Sequence, residues 1–283
     1  MAISKIGILG AGAMGSGIAQ VAAQAGYEVV LSDTEESIVD RAYSKIAAFM
    51  DKSIEKGRLT AEQKDESLSL INRTTGISAF EDADLVIEAI IEDLELKKNA
   101  FSELEEVCKP EAIFASNTSS MSITVLAGAT KRPEQFAGMH FFNPPALMKL
   151  VEIIRGYYSS DATIGTLDAV AKKMGKVTVE VKKDSPGFVV NRILIAQFAE
   201  AIRLLEEGVA TPEDIDTAIK TGLNYPMGPF ELQDFTGVDI AYFVMNYFYD
   251  EFKDPRWNPP QAIKALIRAG RLGKKSGAGW YDH

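Results

Sequence analysis

Short apolar runs alternate with helix-compatible stretches along the first 150 residues. KIGILG (5–10) predicts a strand, and it stops at a glycine cluster running from Gly10 to Gly15. AMGSGIAQVAAQAG (13–26), rich in alanine and closed by Gly26, predicts a helix. YEVVLSD (27–33) predicts the next strand, ending in Asp33, and ADLVIEAI (83–90) a strand of the fully buried type. DLELKKNAFSELEEVCK (93–109) predicts a helix with Leu94, Phe101, Leu104 and Val107 on its apolar face. AIFASNTSS (112–120) reads as a strand running into a polar loop. RPEQFAGMHFFNPP (132–145) reads as a short strand ending near His140, and KLVEII (149–154) as another strand. Between Asp33 and the strand at 83 lies an insertion, about 34–70, that is mostly helical in pattern.

The rhythm changes after GKVTVEV (175–181), an alternating strand, and the turn KKDSPG (182–187). Beyond it the pattern is helical only. GFVVNRILIAQFAEAIRLLEEG (187–208) carries more apolar positions than one stripe holds, so it should be buried on more than one side. A second copy of the chain is the simplest cover, which makes a homodimer through these helices the expectation. TPEDIDTAIKTG (211–222) has a threonine cap, a first-turn proline and a glycine stop, and NYPMGPFELQDFTG (224–237) links into a further helix. The reading is an α/β protein. A doubly wound, mostly parallel Rossmann-type sheet spans residues 1–184, and an all-helical substrate and dimerisation domain spans 185–283.

The glycine cluster has the spacing GxGxxG. It follows a predicted strand, opens a predicted helix and precedes an acidic residue at the end of the next strand, which is the dinucleotide-binding context. Gly10 permits the tight turn, Gly12 a close backbone approach to a pyrophosphate, and Gly15 close helix–strand packing; Ala13 and Met14 lie in the same turn. The helix N-terminus offers N–H groups and positive dipole to phosphate. Asp33 would accept from an adenine-ribose 2′-hydroxyl and repel a 2′-phosphate, and Thr34 supplies no arginine, so NAD is expected over NADP.

Composition narrows the partners. The chain has 283 residues with a formal net charge of −10, which argues against nucleic acid as a general partner. One cysteine, Cys108, leaves no internal disulfide and no cysteine metal site, which fits a reducing compartment. No metal site is expected. No apolar run suits a bilayer and no signal-peptide pattern opens the chain, so the expectation is a cytoplasmic protein with no membrane partner.

The composition counts two histidines, His140 and the final residue His283. An imidazole at a strand's carboxyl end, where open α/β sheets bind ligands, is a candidate general acid and base. Glu92, Asn117, Ser119 and Asn143 lie at similar ends. Sequence alone favours an exposed strand glutamate at Glu152, but alternation puts it on one face with Leu150 and Ile154, where a carboxylate needs a partner. The two prolines after Asn143 exclude helix and stiffen its loop. Lys52 and Lys56 share a helix face with Arg58 just beyond; spacing alone favours a solvated face, and a landing site for phosphates is the sharper alternative. Asn191, at the start of the second domain, suits either a substrate contact or a cap. Asn224 is a further polar candidate.

GAGAMGSGIA, VIEAI, FASNTSS, FAGMHFFNPP, MKLVEII, DSPGFVVNR, YPMGPFEL and GKKSGAGWY resemble, in order and across essentially the whole chain, the signature stretches of the L-3-hydroxyacyl-CoA dehydrogenases. The single-function bacterial 3-hydroxybutyryl-CoA enzymes are nearest in length. The resemblance implies NAD-linked interconversion of a short-chain 3-hydroxyacyl-CoA and its 3-oxo form, in butyrate or fatty-acid metabolism. It implies His140 as the acid/base, Glu152 as its partner, and Ser119 and Asn191 as substrate contacts. Asp33, Glu92, Lys97, Ser119, Asn143 and Lys275 become cofactor contacts. Lys52 and Lys56, with Ser119 and Asn224, fall on the acyl-CoA side. A dehydrogenase of free 3-hydroxy acids, or a non-catalytic NAD-binding protein on the same fold, stays open at this point.

Overall fold

The computed structural model describes residues 3–283. They divide into two compact units, one ending at Ser185 and the other beginning at Pro186. In the first unit β1 (Lys5–Leu9), β2 (Glu28–Ser32), β3 (Ile71–Thr74), β4 (Leu85–Glu88), β5 (Ile113–Ser116), β6 (Phe136–Phe141), β7 (Leu150–Ile154) and β8 (Val177–Val181) form one sheet in the order β3-β2-β1-β4-β5-β6-β7-β8. Every neighbouring pair is parallel except β6 and β7. The central strands β4, β5 and β6 are buried along their whole length, as a parallel sheet covered on both faces requires.

Helices α1 (Ala13–Gln24), α2 (Glu36–Glu55), α3 (Ala61–Ser69), α4 (Leu94–Val107), α5 (Ile123–Ala127) and α6 (Asp161–Lys173) complete the unit. One core gathers Ile6, Ile8, Ile18, Leu31, Ile46 and Leu167. Phe101 of α4 meets Phe136 edge-on, with ring centroids 4.6 Å apart. The insertion is α2 and α3, the latter opened by a reciprocal capping box between Thr60 and Gln63. Strand β3 was not anticipated: INRT is polar, only Ile71 is buried, and the strand exists because it pairs along β2 at the sheet edge. Helix α6, capped by Ser160, was also absent from the sequence reading.

The glycine turn forms between β1 and α1. Gly10 has a left-handed φ of 105°. A Cβ on Gly15 would stand 1.7 Å from the Gly10 carbonyl oxygen, so nothing larger than glycine lets α1 approach β1. A Cβ on Gly12 meets no protein atom, so the protein's own packing does not demand glycine there.

The second unit holds α7 (Val190–Glu206), α8 (Pro212–Gly222), α9 (Pro229–Thr236), α10 (Val238–Phe252) and α11 (Gln261–Arg268). Its core includes Ile195, Phe198, Ile202, Phe230, Met245 and Phe248. Helix α7 starts three residues later than its apolar pattern suggests, because Gly187 and Phe188 take left-handed φ values of 74° and 51°. Buried Asp234 accepts from the Trp280 and Tyr281 amides and folds the last residues back as a hook. Among the described residues no helix is long and apolar enough to cross a membrane.

Gly15→Ala should destabilise the chain by about 1–3 kcal/mol through overpacking and weaken NADH binding. Thermal unfolding and NADH titration check this, and unchanged values in both would contradict the steric account.

Candidate active site

His140 on β6 and Glu152 on β7 are direct cross-strand partners, because the antiparallel register sets them opposite each other. The imidazole Nδ1 lies 2.8 Å from Glu152 Oε2. Both are buried, the glutamate with 0% of its surface exposed. The carboxylate accepts, so Nδ1 carries a proton and Nε2 of the neutral ring is left to accept. Ser119 Oγ stands 3.1 Å from that Nε2. The Phe142 ring packs on the imidazole with centroids 4.6 Å apart.

Ser119 follows β5, and its loop is held from two sides. Asn117 Oδ1 accepts from the Phe141 amide at 2.9 Å, tying the loop to the end of β6. Glu92 Oε1 accepts from the Ser119 amide and the Ser120 hydroxyl, each at 3.3 Å, and from the Thr118 hydroxyl. Glu92 Oε2 in turn lies 3.2 Å from Lys97 Nζ. Lys97, on the first turns of α4, donates to Glu88 Oε1 at 2.5 Å, and Glu88 also accepts from Ser116 Oγ and the Ile90 amide. A connected polar path therefore runs from Ser116 through Glu88, Lys97, Glu92, Ser119 and His140 to Glu152.

Lys97, expected as a cofactor contact, has a side chain 1% exposed, with its ammonium between the carboxylates of Glu88 and Glu92. The Glu92 side chain is 42% exposed. Glu88 went unnoticed in the sequence although a signal was present: VIEAI puts a carboxylate inside an otherwise apolar buried strand, which demands a buried cation.

The dinucleotide turn fits an NAD. Helix α1 opens at Gly12 without any side-chain cap, leaving first-turn amides for a pyrophosphate. Asp33 Oδ2 accepts from the Ala11 amide and Oδ1 from the Thr34 amide, both at 2.7 Å. A cavity of about 290 Å³ opens beside it, lined by Gly10, Asp33, Thr34, Thr75, Ile77 and Ile90 among others. Ala13 and Met14 form the first turn of α1. Asn143 is exposed in the loop after β6, next to the cis peptide Asn143–Pro144.

Lys52 on the last turn of α2, Lys56 at its C-cap and Arg58 beyond are exposed, and among the described residues none of the three enters an ion pair. No hydrogen bond links them to the His140 path. In the second unit Asn191 is the second residue of α7, and Asn224 takes a left-handed φ of 58° between α8 and α9. Lys275 lies in a short 3₁₀ turn with Nζ 2.6 Å from Asp239 Oδ1. Cys108 is buried at the end of α4, and burial pushes its thiol up to about 11, so it is inert as a nucleophile. Among the described residues no cluster suits a metal ion.

Residues 5–185 match the NAD-binding domain of 3-hydroxyacyl-CoA dehydrogenase, and residues 187–283 match its C-terminal domain. The chain belongs to the 3-hydroxyacyl-CoA dehydrogenase family. It is 46% identical to a probable 3-hydroxybutyryl-CoA dehydrogenase of Deinococcus radiodurans, covering 99% of this chain and 100% of that one. It is 43% identical to the 3-hydroxybutyryl-CoA dehydrogenase of Clostridioides difficile, with 99% of each covered. The crystal structure of the (S)-3-hydroxybutyryl-CoA dehydrogenase of Ralstonia eutropha superposes with a TM-score of 0.97 at 42% identity, covering 100% of this chain and 99% of that one. As a 3-hydroxyacyl-CoA dehydrogenase the protein is an NAD-dependent oxidoreductase acting in acyl-CoA metabolism.

Lys97→Met leaves Glu88 buried without its cation and should cost about 3–5 kcal/mol of stability. Pairing it with Glu88→Gln should recover much of that loss. Urea denaturation of the single and double variants tests the pair; equal losses in both would show that the two side chains do not depend on each other.

Proposed function

We propose that the protein interconverts (S)-3-hydroxybutyryl-CoA and acetoacetyl-CoA. The observation that carries the catalytic part is the buried Glu152–His140–Ser119 row, whose one accepting nitrogen meets a hydroxyl. The four-carbon substrate rests on the likeness to the Deinococcus, Clostridioides and Ralstonia enzymes.

When bound, NAD supplies the hydride acceptor at the nicotinamide, or as NADH the donor. In the oxidative direction His140 Nε2 takes the proton of the 3-hydroxyl as its C3–H bond breaks. The carbonyl forms and the ring becomes imidazolium. Glu152, already hydrogen-bonded to Nδ1, stabilises that charge and holds the ring orientation, as a carboxylate does in a catalytic triad. In reduction the same nitrogen returns the proton to the forming alkoxide. Ser119 holds the reacting oxygen beside Nε2, and Asn191 donates to the substrate's oxygens. Asp33 reads the adenine ribose, Glu92 and Asn143 the nicotinamide end, and Lys275 assists cofactor binding.

Lys52 and Lys56 take the phosphates of the CoA moiety, with Asn224 on the same substrate. Exposed unpaired cations in a chain of net charge −10 support that assignment. Exposed apolar residues on the second unit, Ile193 and Phe243 among them, support a homodimer. The single cysteine suits the reducing cytoplasm.

Separate assays of acetoacetyl-CoA and free acetoacetate, each with NADH and with NADPH, test the substrate. Turnover should require the CoA ester and favour NADH. Comparable rates with the free acid would overturn the reading. His140→Ala should lower kcat by about 10²–10⁴-fold while NADH still binds. Turnover like that of the wild type would remove His140 from the proton transfer.

A further inference from the structure

Lys176 is a buried cation that neither the reaction nor the family's signature stretches account for. It lies just before β8, with 9% of its surface exposed, and among the described residues it pairs with no carboxylate. Burial pushes its ammonium below the usual lysine range. Its Nζ instead donates to two backbone carbonyls, Pro145 at 2.5 Å and Met148 at 3.0 Å. Both belong to the eight-residue loop (142–149) that joins β6 to β7 and carries Asn143. The adjoining Val177 amide donates to the Lys149 carbonyl at 2.8 Å, so consecutive residues 176 and 177 hold this loop at Pro145, Met148 and Lys149.

The loop has other anchors as well. Asn117 fixes the Phe141 amide. Pro145 is buried against α1: a Cβ on Gly17 would come within 2.6 Å of its ring. The Leu147 and Met148 amides both donate to the Pro144 carbonyl at 3.0 Å, which closes the turn on itself. Asn143 thus stands between an anchor on β6 and a proline pressed on the dinucleotide helix, and Lys176 is what keeps that proline in place from below.

An ammonium taken out of water is costly unless its donors are met. An apolar side chain of similar length would avoid that desolvation but would leave the two carbonyls without this donor. What methionine or leucine lacks is the ability to satisfy two loop carbonyls at once and so hold the loop in a single arrangement. We propose that Lys176 is a positioning residue for the cofactor, a clamp that fixes the 142–149 loop against α1 and thereby sets Asn143 where the nicotinamide end of NAD meets it. This rests on the assignment of Asn143 as a cofactor contact.

The test is a double-mutant cycle on the full-length chain, read as the NADH dissociation constant by fluorescence titration, with thermal unfolding followed in parallel. Lys176→Met should weaken NADH binding by about tenfold, and Asn143→Ala should weaken it comparably. The double variant should bind no more weakly than Asn143→Ala alone, because the lysine acts only through the asparagine. Lys176→Arg, which keeps donors for both carbonyls, should stay within about threefold of wild type.

Wild-type affinity in Lys176→Met, with weakened binding in Asn143→Ala, would overturn the clamp and leave the Asn143 contact standing. A Lys176→Met loss that persists in full in the Asn143→Ala background would also overturn it, since a lysine acting on general stability behaves that way. Wild-type affinity in Asn143→Ala would remove the Asn143 contact and the clamp together. If the methionine variant does not fold, Lys176→Gln carries the same cycle with an expected weakening of about threefold.

Discussion

The reversal of direction between β6 and β7 is the constraint on which the buried His140–Glu152 pair depends. Parallel strands collect their carboxyl ends at one edge, and with them the loops bearing Glu92, Ser119 and Asn143. The parallel ladder from β5 ends at Gly138 and does not reach His140, so a side chain opposite the histidine has to come from the other side. The chain provides it by turning back through an eight-residue loop and pairing β7 antiparallel, which sets Glu152 directly across from His140. A glutamate with no exposed surface needs a partner, and this register supplies one. A slip of one residue would send Glu152 to the opposite face of the sheet and leave both groups without the contact.

From that pair the polar path extends along the sheet edge as alternating charge: Glu88, Lys97, Glu92. Buried ions of this kind add little net stability compared with an apolar core, but they are directional and they set position. Glu88 gathers a backbone amide, a serine hydroxyl and an ammonium on one carboxylate, and so joins the ends of β4 and β5 to α4. Glu92 hands that order on to the loop carrying Ser119.

Much of this was legible in the sequence where a local pattern corresponds to a local cause. The glycine turn, the alternation of strands and helices and the place of His140 at a strand end follow from short-range periodicity and spacing. Glu152 was legible only in part: its apolar neighbours at two-residue steps pointed to burial, but its pairing with His140 came from the resemblance. Strand β3 was not: its four residues are mostly polar and owe their conformation to pairing with β2, a contact between distant segments. Lys97 was singled out through the resemblance alone, and nothing in its local pattern says that Glu88 waits beneath it. Lys176 carries no signal of its own, because its partners are backbone carbonyls and these leave no trace in side-chain identity.

Asp33 joins two properties that are usually treated apart. One carboxylate oxygen holds the Ala11 amide inside the glycine turn, while the residue also borders the cavity beside that turn. Under the proposal that Asp33 reads the adenine ribose, discrimination between cofactors and rigidity of the glycine turn are thermodynamically linked through a single side chain. On that proposal, converting the chain to a 2′-phosphorylated cofactor is a two-residue problem. Removing the negative charge also frees a backbone donor, and a second substitution has to provide an acceptor for it before the turn regains its order.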